Sequence, residues 1–276
     1  MITEFETCSA DGLLLRGALY PAKQAKNLVS LVHGFGEHQG RYKGMISALN
    51  TKGTSVAALD LRGHGRSEGT RGACKDYSLF LADVDALISK TRESFAALPH
   101  ILYGHSMGGG IALRYACDAK RAQNLDGLII SAPLITLPDP PPAVLQSVVR
   151  LISKLAPNLT LPNTLDGPKI STLIEEQQLY INDPLNHGKV TAALAVGMVD
   201  NGETILQQAE TLSLPTLLMH AKEDQLTAIE GSRQFAARAQ NCEFHELENC
   251  AHEMHNDVTR EAVYGLMIEF LSRATA

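Results

Sequence analysis

The segment ILYGHSMGGGIALRYA, Ile101 to Ala116, constrains the fold more than any other stretch of the chain. It opens as an apolar run of strand length, passes through a serine with a glycine two residues away on either side, and resumes at once with helical spacing. A Gly-x-Ser-x-Gly turn between a strand and a helix is so sharp that its serine sits at strained backbone angles, and a Cβ on either glycine would collide with the turn. Gly104 and Gly108 are therefore steric relief. The strain lifts the Ser106 hydroxyl above the sheet edge, and the helix starting at Met107 aims free amides and a positive dipole end at any oxyanion forming there. GHGRS, Gly63 to Ser67, lacks this phasing and reads as a loop.

The rest of the chain supplies the sheet that such a turn needs. Its 276 residues are 45% apolar, enough for one large core in a single α/β domain. Short apolar runs alternate with helical patterns: LLLRGALY after the turn pair Asp11-Gly12, NLVSLVHG, TSVAALDL, HILYGHS, LDGLIISAP, LPTLLMHAKED and CEFHELENC, with TREAVYGLMIEFLSRA closing as a helix. This is the pattern of βαβ units around a mostly parallel sheet, whose chemistry gathers beyond the strand C-termini. The strand-like runs end there in Gly, His, Asp or Ser.

Residues 136–185 break the alternation. They are rich in proline and carry an amphipathic helix between Pro142 and Ala156, with Val144, Leu145, Val148, Val149, Ile152 and Leu155 on one face and Gln146, Ser147, Arg150, Ser153 and Lys154 on the other. The expectation is a core of residues 1–135 and 186–276 with 136–185 inserted as a helical cap, the apolar helix face packing inward as core or lending some of its residues to the wall of an acyl tunnel.

A serine is a weak nucleophile without a base and a group to orient that base. In folds with this turn the order along the chain is Ser, Asp or Glu, then His, so the partners must follow Ser106. His187 at the edge of the cap region, His220 within a strand pattern and His245 inside CEFHEL read as structural. His252, in ENCAHEMHND between the last strand and the last helix, stands where the base belongs, with His255 its rival three residues on. Asp224 ends LPTLLMHAKED at a strand C-terminus, while Glu223 would point elsewhere on an extended backbone. The loop after NLVSLV, His33-Gly34-Phe35-Gly36, suits a second oxyanion donor, the amide of Phe35 joining that of Met107. His33 itself reads as a packing and hydrogen-bonding residue.

HGFGEHQGRY, DLRGHGRSEG, GHSMGG, YINDPL, HAKEDQL and AHEMHND, in that order over nearly the whole chain, together resemble the monoacylglycerol lipase and lysophospholipase group of α/β-hydrolases. The resemblance implies an α/β-hydrolase fold, a Ser106, Asp224 and His252 triad, and an oxyanion hole at Phe35 and Met107. It also matches Glu37, Arg41, Tyr180 and His255 to the polar end of that group's pocket. The implied activity is ester hydrolysis of monoacylglycerols or similar single-chain lipid esters through an acyl-enzyme, with no cofactor.

Other readings have weaker support. His252-Glu253-Met254-His255 is one residue short of a zincin HExxH, so no metal is expected, and neither a dinucleotide nor a P-loop fingerprint appears. Within enzymes the alternatives are a general short-chain carboxylesterase and a lysophospholipase. An inactive binding protein of the same fold would need no serine, acid and base in register. A net charge of −6 from interspersed residues gives no nucleic-acid footprint. No run approaches the ~20 apolar residues of a membrane span, MITEFETCSADG has neither a basic start nor an apolar stretch, and five scattered cysteines read as reduced thiols. These point to the cytoplasm, with the cap as the surface that would touch a membrane or micelle.

Overall fold

A computed structural model describes residues 1–95, 97–161 and 167–274. Residues 162–166, in the proline-rich region, lie outside the described residues. The chain opens with a hairpin of β1 (Thr3–Cys8) and β2 (Leu14–Tyr20), closed at Gly12, whose φ of 82° only glycine adopts without strain. Then come β3 (Asn27–Val32), α1 (Lys43–Thr51), β4 (Thr54–Leu59), α2 (Ser78–Ser94), β5 (His100–His105), α3 (Met107–Cys117), α4 (Ala119–Ala122) and β6 (Gly127–Ser131). The intervening stretch holds α5 (Ala143–Leu155), β7 (Thr160–Leu161), α6 (Gly167–Ile170), α7 (Ile174–Asn182), β8 (Val190–Thr191) and α8 (Ala192–Gln208). The core resumes with β9 (Thr216–Ala221), α9 (Ile229–Ala236), β10 (Cys242–Leu247) and α10 (Arg260–Ala274).

Among the described residues eight strands form one sheet in the order β1-β2-β4-β3-β5-β6-β9-β10, with only β2 running against its neighbours. The two-residue side-chain period of a strand then builds two cores. Ala57, Leu59, Leu102, Leu128, Ile130 and Leu218 face α2, α3, α8 and α9. Val56, Ala58, Ile101, Tyr103, Ile129 and Met219 face α1 and α10. Burial on both faces explains why these strands read as continuous apolar runs rather than alternating ones.

The mostly parallel sheet and flanking helices match the expected fold. Strand β1 was not expected: TEFETC has a single buried position, Phe5, too little for a hydrophobic signal, and it forms because β2 offers an edge to pair with.

Helix α5 spans the expected residues, but only one edge of its apolar face turns inward. The other edge of its apolar face turns outward, with Val144 77%, Leu151 57% and Leu155 78% exposed, and no residue of the helix is fully buried. Contact runs instead along the seam between its two faces, where Gln146, Val149 and Arg150 are half-buried and Arg150 Nη2 meets Asp200 Oδ1 of α8 at 2.6 Å. No described helix is long and apolar enough to cross a membrane.

Candidate active site

Ser106 sits between β5 and α3 at φ 55° and ψ −121°, the strained turn that the sequence predicts. Its amide donates to Ser131 O at 3.0 Å, and its carbonyl accepts from Gly110 N at 3.0 Å and Leu134 N at 2.9 Å. Those bonds hold the strained residue in place. A Cβ at Gly104 would lie 2.4 Å from Gly108 O, and one at Gly108 2.3 Å from both Val32 O and His33 O. Both glycines are sterically obligatory.

Across the sheet end, His252 Nδ1 is 2.7 Å from Asp224 Oδ2. Glu223, the rival acid, is exposed. The Asp224 side chain is fully buried, and Oδ1 accepts from the amides of Leu226 at 2.8 Å and Thr227 at 3.1 Å. Oδ2 also receives Thr227 Oγ1 at 2.9 Å and lies 3.2 Å from His220 Nε2. Burial works against this carboxylate's charge, but His252 and the hydrogen bonds from His220 and His252 hold it far below the usual carboxylate range. Burial likewise works against a charged His252. Asp224 outweighs it, with Glu253 and Glu37 adding, and holds the imidazole above its ordinary 6.5. The His252 loop is pinned by Asp257, which accepts from Ala251 N at 2.8 Å and from the amide and hydroxyl of Thr172.

The rival His255 is out of reach of this chemistry. It is fully buried and stacked on Tyr42, ring centroids 4.6 Å apart. Burial pushes it down to about 4, so it stays neutral.

The loop after β3 approaches from the other side. Leu61 N donates to His33 Nε2 at 2.9 Å, so the ring proton is on Nδ1 and is donated to Gly34 O at 2.7 Å. His33 is thus the hydrogen-bonding residue the sequence suggested. Glu37 Oε1 accepts from Gly34 N at 2.6 Å and from Tyr42 Oη at 2.7 Å. Burial, followed by the nearby Glu253, pushes this carboxyl up to about 7.

Phe35 and Glu37 line the same cavity as Ser106 and His252, and Tyr180 of α7 joins them. Arg41 and His255 do not line it. Arg41 grips Glu253 through Nη2 at 2.6 Å and Nε at 3.3 Å, with its guanidinium 5.1 Å from the Tyr180 ring centroid. Glu253, which does line the cavity, was missed in the sequence. Its position next to His252 was the only signal for it.

The cavity has a volume of about 760 Å³. Most of its wall is apolar, with Leu134, Ile135 and Leu137 beyond β6, Leu145 and Val149 of α5, and Val196, Val199 and Leu206 of α8, although Thr136, Gln146, Arg150 and Glu203 line it from the same segments. Only the inward edge of the α5 apolar stripe contributes.

Residues 23–259 match the model of a hydrolase family described as serine aminopeptidase S33. The chain belongs to this family. It is 33% identical over 246 residues to the monoacylglycerol lipase of Mycolicibacterium smegmatis, covering 88% of this chain and 87% of that one. The crystal structure of the Paleococcus ferrophilus monoacylglycerol lipase superposes with a TM-score of 0.85 at 30% identity, covering 94% of this chain and 99% of the other. A thermostable carboxyl esterase from Bacillus coagulans, solved with glycerol, superposes with a TM-score of 0.86 at 25% identity over 100% and 99% of the two chains. The α/β-hydrolase fold of this family member therefore rests on both its sequence and its shape.

Proposed function

We propose that the protein is a serine ester hydrolase that cleaves monoacylglycerols and similar single-chain lipid esters through an acyl-enzyme. The observation that carries this reading is one largely apolar cavity. It holds Ser106 and the Asp224-bonded His252, with apolar α5 and α8 side chains in its wall and the carboxyls of Glu37 and Glu253 also lining it. The likeness to the Mycolicibacterium smegmatis and Paleococcus ferrophilus enzymes supports the same substrate class.

In this mechanism Ser106 Oγ attacks the ester carbonyl while His252 takes its proton, and Asp224 holds the imidazole tautomer and stabilises the imidazolium. The amides of Phe35 and Met107 bind the tetrahedral oxyanion, the latter as the first residue of α3 with the helix dipole behind it. His252 then protonates the departing glycerol oxygen, and a water activated by the same imidazole releases the fatty acid. Glu37 and Tyr180 meet the alcohol, while Arg41 and His255 act from behind them, Arg41 by fixing Glu253. No metal or cofactor takes part. Residues 1–135 and 186–276 form the hydrolase core and 136–185 the cap. The outward apolar face of α5 docks a cytoplasmic enzyme transiently on membrane or micelle surfaces.

The likeness to the Bacillus coagulans carboxyl esterase favours a second reading, a general esterase. Initial rates on monooleoylglycerol, trioleoylglycerol, a lysophospholipid and short alkyl esters separate the two. Monooleoylglycerol is expected to be hydrolysed much faster than the triacylglycerol, whose extra chains have no room, and faster than the short esters. Short alkyl esters as the best substrates would replace this reading with the general esterase, and the lysophospholipid as the best would replace it with a lysophospholipase.

A further inference from the structure

Asp224 serves two histidines. His252 Nδ1 lies 2.7 Å from Oδ2, and His220 Nε2, from the end of β9, lies 3.2 Å from the same oxygen. His220 is completely buried and does not line the cavity, so it cannot touch substrate. Its second nitrogen, Nδ1, is 2.8 Å from the hydroxyl of Ser232, itself fully buried on α9.

The partners fix the tautomer. Nε2 faces a carboxylate oxygen and, at 3.2 Å, the carbonyl of Thr227, neither of which can donate; the Thr227 hydroxyl, 3.3 Å away, has nearer acceptors for its single proton in Asp224 Oδ2 at 2.9 Å and Ala132 O at 3.1 Å, so the ring proton is on Nε2. Nδ1 is left as an acceptor, and Ser232 supplies its hydrogen. A chain of donors thus runs from Ser232 through His220 to the oxygen that also holds His252.

We propose that His220 is a positioning residue of the triad, donating its Nε2 proton to Asp224 so that the carboxylate keeps the orientation and basicity that His252 requires. This rests on the serine hydrolase reading, with Asp224 as the acid. A hydrogen bond to the carboxylate's charged form drains negative charge from Oδ2 and weakens the pull of that oxygen on the imidazolium. His220 then sets the pH at which His252 becomes a free base, as outer partners tune metal-bound histidines, where their loss costs about 10- to 100-fold in activity.

The test is a pH profile of kcat/KM on a soluble short-chain ester for wild type, His220→Leu, His220→Gln and Ser232→Ala. His220→Leu is expected to lower kcat by on the order of tenfold with KM unchanged. Its acidic limb should move to higher pH, because an uncompensated carboxylate stabilises the imidazolium. His220→Gln keeps a donor near the Nε2 position and should restore both. Ser232→Ala should shift the limb the same way by less.

Glu37, Glu253, His105 and His255 also surround His252, and Glu37 titrates near 7, but all are common to wild type and variants. The difference between profiles therefore isolates His220. A loss of kcat with an unmoved limb, or His220→Gln as impaired as His220→Leu, would reduce His220 to packing. If His220→Leu does not fold, the limbs of His220→Gln and Ser232→Ala decide in the same way. Fluorophosphonate labelling of the wild type checks the serine hydrolase reading separately. Labelling at Ser106 with an unmoved limb sinks only the proposal about His220, whereas no labelling sinks the reading beneath it.

Discussion

In the proposed mechanism Ser106 and His252 act as a unit, so their losses should not add. Ser106→Ala and His252→Ala are each expected to lower kcat by a similar large factor, on the order of 10⁶ if the subtilisin triad is a guide, and the double variant should lose little more. Additive losses would break the assignment. Asp224→Asn should lower kcat by about 10⁴ through the wrong imidazole tautomer, while the exposed Glu223→Gln should be near neutral. In that mechanism acylation also needs neutral His252. Because Asp224 holds the imidazolium above its ordinary 6.5, kcat/KM should rise with pH through an ionisation above about 6.5 and then level off. A limb centred below 6 would show that burial rather than Asp224 dominates. At this scale the geometry was legible wherever chain order and sterics decide: the strained turn at Ser106 from its glycines, the approach of His252 to Asp224 from their places after strands. The closing of Arg41 on Glu253 and the sharing of Asp224 by His220 were not, because both join positions far apart in sequence or across a strand end, where residue type alone carries no partner.

Among the elements, α5 separates what periodicity reveals from what it does not. Its apolar stripe announced an amphipathic helix over the observed residues, but a hydrophobic pattern says that a face avoids water, not which neighbour covers it. Here Val144, Val148, Leu151 and Leu155 remain exposed while Arg150 ties the opposite side to Asp200. On the proposed reading this exposed apolar stripe docks on lipid surfaces. Replacing Leu151 and Leu155 with glutamate should lower sedimentation with phosphatidylcholine vesicles and slow hydrolysis of vesicle-borne monooleoylglycerol. Turnover of a dissolved short ester should stay within about twofold. An equal fall on both substrates would mean that the face supports the fold instead. The central strands were legible because both faces of the sheet are covered, which leaves apolar runs in the sequence. Strand β1 was not, since an edge strand with a single buried residue has nearly the composition of a loop.

At the scale of the whole molecule, the sheet brings together the ends of β3, β5, β9 and β10, with the β6–β9 excursion contributing the wall over them. A cavity of about 760 Å³ lies in the range that holds one small lipid. Each methylene of an acyl chain buried there is worth about 0.8 kcal/mol, so kcat/KM should climb up to about fourfold per carbon until the cavity is full. Flat or falling efficiency from acetyl to octanoyl esters would contradict an acyl-binding wall. The central claim, a covalent acyl transfer at Ser106 from a single-chain ester, is tested most directly by rapid acid quench of wild type and Ser106→Ala during turnover of monooleoylglycerol, with the peptides read by mass spectrometry and fluorophosphonate labelling run in parallel. Oleoyl and phosphonyl adducts should both map to Ser106 in the wild type, and Ser106→Ala should show neither adduct nor turnover. Undiminished hydrolysis by Ser106→Ala, or adducts mapped to another residue, would contradict the claim.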